Sequence, residues 1–183
     1  MIQTTFLIIS ILSLIFFYFG IGKQKRVLFV FSIWQMLMGI LAIFKVFEDF
    51  PTLFAGAILG TIALTIMVLK KLDKQALNLS FLVSIHVLRI PVELVLFQLF
   101  IQHKIPKLMT FNGWNFDIVI GISALLILIF QLVKKSKISR RFFVLWNLMG
   151  ISFLMIIVSL AVLASPLPIQ QFAFEQPNIA VLA

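Results

Sequence analysis

Residues Ser80 to Phe100 read SFLVSIHVLRIPVELVLFQLF. The run is apolar enough to cross a bilayer, yet its centre holds His86, Arg89, Pro91 and Glu93, including the ionisable types that hydrocarbon tolerates least. On a helix turning about 100° per residue, positions 86, 89 and 93 fall within about 60° of one another and share a face. A membrane helix with a polar stripe through its middle is expected.

The rest of the chain reads the same way. Of 183 residues, 62% are hydrophobic and only 11% charged, with 21 Phe, which excludes an ordinary soluble globule. Apolar segments of about 20 residues, the length that spans a bilayer, recur between short charged breaks. An all-α, polytopic transmembrane helical bundle of about six spans follows. The spans fall near Thr4–Ile21, Val27–Phe47, Thr52–Leu69, Gln75–Gln102, Phe116–Val133 and Phe142–Ala164. Residues 1–164 form one membrane domain on this reading, and 165–183 an extracytoplasmic tail in the interface. Met1 leads into Ile2-Gln3-Thr4-Thr5 without a basic region, so the first span reads as a retained helix rather than a signal peptide.

Local signals refine the spans. Glu48, Asp49 and Pro51 close the second. The third carries Gly56-Ala57-Ile58-Leu59-Gly60, a small-xxx-small spacing that lets another helix approach, so Gly56 and Gly60 are helix-packing residues. The fourth outruns a hydrocarbon core of about 30 Å and should tilt, or kink at Pro91. Between the fourth and fifth, Asn112-Gly113 signals a turn and Trp114 suits an interface, while Asp117 sits in a first turn that favours an acid. Pro166, Pro168 and Pro177 prevent the tail from being a continuous span, and it is expected to fold back toward the bundle mouth. Ile179 to Ala183 turn apolar, as a packing segment or the first turn of another helix would. Trp34 to Ile40 and Trp146 to Ile151 form a weak internal echo, although helices with similar flanks would share it anyway.

The net charge of +9 is explained by where the cations sit. Lys23, Lys25 and Arg26, then Lys70, Lys71 and Lys74, then Lys134, Lys135, Lys137, Arg140 and Arg141 place eleven on one side. Lys45, Lys104 and Lys107 lie on the other. The positive-inside rule then puts the basic loops in the cytoplasm and both termini outside, in a multi-pass inner-membrane protein. The cations face lipid headgroups, and no nucleic-acid partner is expected.

An arginine at mid-membrane costs about 3 kcal/mol on insertion scales unless it is paired or reaches water. Glu93 lies four residues on, where helical side chains meet, and Pro91 between them has no amide proton for the Val87 carbonyl. Two readings follow. Arg89 and Glu93 form a neutralised strut, with His86 hydrogen-bonded to a neighbour; or His86, Arg89 and Glu93, joined by Gln98 and Asn147, bind or pass a small anionic or protonatable ligand. Outside, Glu48, Asp49, His103, Asn112, Asn115, Asp117 and Glu175 could form a polar mouth, though a solvated interface explains most of them equally well.

Catalytic and metal chemistry find little footing. Cysteine is absent, and HExxH, GxSxG and P-loop patterns are missing. The two histidines lie 17 positions apart, about 25 Å along a straight helix, too far to share a haem. No catalytic residue, metal or cofactor is expected. Two alternatives stay open: a non-catalytic subunit or scaffold packing on a membrane-protein partner or on its own copies, and a membrane enzyme using His86 and Glu93 on a lipid-borne substrate.

The segments His86-Val87-Leu88-Arg89-Ile90-Pro91-Val92-Glu93-Leu94, Met109-Thr110-Phe111-Asn112-Gly113 and Gln170 to Asn178 resemble a family of uncharacterised small polytopic bacterial membrane proteins. The resemblance covers the second half of the chain, implies a bacterial inner membrane, and attaches no activity to any residue.

Overall fold

The computed structural model describes residues 2–50, 52–135 and 138–180. Met1, the span-closing Pro51, Ser136 and Lys137 of the third basic loop, and Val181, Leu182 and Ala183 lie outside the described residues. Among the described residues all regular secondary structure is helical. In order come α1 (Ile2–Gly20), α2 (Lys25–Ile43), α3 (Val46–Asp49), α4 (Thr52–Lys71), α5 (Leu79–Val87), α6 (Arg89–Ile101), α7 (Asp117–Lys134) and α8 (Arg140–Leu163). With α5 and α6 taken as one broken rod, six of these units are long and apolar enough to cross a membrane.

Three boundaries differ from expectation. The second span stops at Ile43, because Lys45 takes a left-handed conformation (φ 57°) and starts the short α3. The fourth begins at Leu79, where Asn78 accepts the Phe81 N–H as an N-cap. Its break falls at Leu88, three residues before Pro91: a proline disrupts the turn that precedes it, where its missing N–H would have bonded.

The core is α1, α5–α6, α7 and α8. Val83, Ile120, Ala124, Ile127 and Trp146 form one buried cluster, and Ile105, Met109, Ile157 and Leu160 form a second. Helices α2 and α4 stand at the edge, and α4 buries no residue. Of the helix packing expected over Gly56 and Gly60, the chain shows a contact at Gly60 and none at Gly56. Gly60 accommodates the Trp34 ring, while Gly56 has nothing within 4 Å of where a side chain would begin.

The described parts of the three basic loops gather at one end. The Gln24 side chain hydrogen-bonds both the Asp73 carbonyl and the Asp73 N–H, joining the α1–α2 and α4–α5 turns. Ser80, at the start of α5, meets Gln131 near the end of α7, which brings the α7–α8 loop to the same end.

Candidate functional site

Arg89 opens α6 and Asp117 opens α7, and their side chains form a largely buried ion pair. The same guanidinium nitrogen donates to the Gly150 carbonyl of α8 at 3.3 Å, so one side chain ties three helices. The approach is close: a side chain on Gly121 would begin 3.1 Å from the Ile90 nitrogen and 3.4 Å from the Arg89 Cβ. The strut expected between Arg89 and Glu93 is therefore replaced by one between Arg89 and Asp117. A spacing rule sees only partners on the same helix, and the better acid came from the next one.

Glu93 instead accepts a 2.6 Å hydrogen bond at Oε1 from Asn115 Nδ2, which also donates to the Met109 carbonyl. Asn115 Oδ1 accepts the Asp117 N–H, fixing the first turn of α7. Glu93 is 1% exposed, and among the described residues its Oε2 has no hydrogen-bond partner. Two carboxyl groups and one guanidinium thus share a largely buried layer between the two apolar clusters.

That layer lies well inside the bundle. From Glu93, α6 rises a further 12 Å or about that to Ile101, and from Gly150, α8 rises about 20 Å to Leu163. Helix α7 starts only at the level of Glu93, so residues 102–116 descend between α6 and α8 to reach it. Ile105, Met109, Thr110 and Asn115 are buried on this descent rather than lying in an outer interface. Irregular backbone survives at such depth only when protein satisfies it. Here Gly113 N–H bonds the Thr110 carbonyl and Trp114 N–H the Leu108 carbonyl. The tail closes over the loop: Gln176 Nε2 donates to the Phe100 and Ile105 carbonyls, and Asn178 Nδ2 to the Ala161 carbonyl.

The remaining expected residues part company. His86 sits two helical positions short of the break, its ring 5.0 Å from Trp146 in an edge-on contact, in different surroundings from Glu93. Asn147 bonds the Phe143 carbonyl of its own helix. Gln98 is exposed, and with Pro91 it lines a shallow apolar pocket of about 160 Å³ against Ile2 and Thr5 of α1, on the other side of α6 from the ion pair. Asn115, Asp117 and Gly121 were not placed at the site by sequence. One signal was available: an arginine in an apolar segment needs an acid, and Asp117 opens the very next span.

No curated protein and no solved structure matches the chain. A family model described as a domain of unknown function, DUF8737, matches residues 49–182, which include every residue of the polar layer. The chain belongs to that DUF8737 family of unknown function.

Proposed function

We propose that this is a bacterial inner-membrane protein whose buried layer takes up one positive charge, a proton or the cationic group of a small ligand, at Glu93. One observation carries the reading: among the described residues Glu93 is sealed from solvent with Oε2 unpartnered, while the Arg89 guanidinium is engaged by Asp117. With both acids ionised the layer holds one more negative than positive charge, and apolar surroundings penalise that imbalance. Arg89, committed to Asp117 and Gly150, is poorly placed to receive an anion, so geometry favours the protonatable over the anionic ligand. The basic loops face the cytoplasm on this proposal, since their common end supports the positive-inside orientation. The loop 102–116 then enters the bundle from the outer side, and the tail closes over it there, beyond one membrane domain of residues 1–164.

The test uses purified protein in lipid vesicles with a pH-sensitive dye inside. An imposed pH gradient, with no other solute, probes protons; labelled methylammonium probes an organic cation. Glu93→Gln keeps the shape and the acceptor for Asn115. Proton flux above that of empty vesicles and lost in Glu93→Gln identifies a proton, and methylammonium uptake lost in the variant identifies a cation. Equal behaviour of the variant and the native chain with both probes, or native vesicles indistinguishable from empty ones, overturns the reading.

A second reading, a scaffold for another membrane protein, draws on the open Gly56 face of α4. It predicts co-purification of a partner in mild detergent that is lost in Gly56→Leu.

A further inference from the structure

We infer that the fused α1–α2 and α4–α5 turns form a single headgroup site for an anionic phospholipid carrying two phosphates. The turns are built as one unit. Gln24 grips Asp73 through both halves of its amide, with bonds of 3.2 and 3.1 Å, and the Asn78 N–H bonds the Gly20 carbonyl at 2.8 Å. Gly22, at φ +66°, presses on the Ala76 backbone where a side chain has no room.

This junction holds two cationic triplets together, Lys23, Lys25 and Arg26 on one turn and Lys70, Lys71 and Lys74 on the other. Among the described residues none of the six is in an ion pair. Asp73, the one acid between them, turns its Oδ1 to the Gln75 N–H. Both turns follow α1 and α4, apolar helices of membrane-spanning length, which in a bilayer puts them at the level of lipid phosphates. Loops that moved independently would each attract single anionic charges. Two triplets on turns bonded to each other suit two phosphates joined by one headgroup, and the lipid that brings both loses less freedom than two separate lipids.

The experiment puts the full chain into nanodiscs of phosphatidylcholine containing either diphosphatidylglycerol or phosphatidylglycerol at equal total charge, and reads lipid retention by native mass spectrometry. The native chain should prefer the two-phosphate lipid. Lys70→Gln with Lys71→Gln, both exposed, should lower its retention about tenfold or more. Gln24→Ala should erase the preference while leaving single-phosphate retention unchanged. The charge-matched Lys134→Gln with Lys135→Gln should keep the preference. Equal retention of the two lipids by the native chain, or equal losses in the two double-lysine variants, overturns the proposal in favour of a diffuse basic surface.

Discussion

Two helix pairs in this protein use the same link and reach opposite outcomes. In the α2–α4 pair, Trp34 donates its indole N–H to Thr61 Oγ1 at 2.9 Å; in the α7–α8 pair, Trp146 donates to Ser123 Oγ at 2.9 Å. Trp34 ends on the open face of Gly60, against a helix that buries nothing. Trp146 ends inside a packed cluster, with His86 at its edge and the Arg89 layer one turn away. A hydrogen bond between membrane helices is worth little by itself, because the separated helices find other partners in lipid. What distinguishes the core pair is the close contact around the link and the charged layer that only this packing can satisfy.

Breaking the charged layer should have the largest effect. Arg89→Leu leaves Asp117 buried without its cation, and removal of one partner of a buried pair costs about 3 to 5 kcal/mol. Reversible unfolding in mixed micelles reads the loss, and Arg89→Leu with Asp117→Leu should recover most of it. The exposed pair between α2 and α4, Lys45 and Glu48, serves as the contrast. Lys45→Leu there should cost no more than about 1 kcal/mol. Comparable losses from Arg89→Leu and Lys45→Leu would mean that the layer is solvated and the core pair no different from the edge.

The same contrast explains what the sequence could carry. Six apolar runs, their approximate ends and the common end of the basic loops were legible, because length and hydropathy alone dictate a bilayer-spanning helix. Arg89 and Glu93 were legible as members of a buried polar layer for the same reason, since a charge in an apolar run demands explanation. Their partners were not. Asp117 and Asn115 lie outside the polar run and reach it only because residues 102–116 descend into the bundle, a path that a polar loop with an Asn-Gly turn does not announce. Gln98 and Asn147 lie apart from the charged layer for the converse reason. A polar residue in a span says that it needs a partner, and either its own helix or an open pocket can take it.

Packing density gives the next test. At Gly121 a side chain would meet the Ile90 side chain and backbone, whereas at Gly56 it would meet nothing. Gly121→Val should therefore cost about 1 to 3 kcal/mol through overpacking and weaken the Arg89–Asp117 pair by parting α6 from α7. Gly56→Val should be nearly neutral in the same unfolding assay. A large loss at Gly56 would show that α4 is packed in the membrane by something beyond this chain, which would move weight to the scaffold reading.

The smallest expected difference falls on the tryptophans themselves, and it isolates the role of surroundings most directly. Trp146→Phe removes the indole N–H, leaves the Ser123 hydroxyl without its donor, and opens a void in the cluster of Val83, Ile120 and Ala124, for a cost of about 1 to 2 kcal/mol. Trp34→Phe removes the same bond from a lipid-facing pair, where Thr61 already donates to the Ala57 carbonyl, and should cost about 0.5 kcal/mol. The chemical change is identical in the two variants, so any difference measures the environment. Equal costs would assign the stability of α7–α8 to the hydrogen bond rather than to the packing around it, and the contact beneath the Arg89 layer would then lose its claim to hold that layer in place.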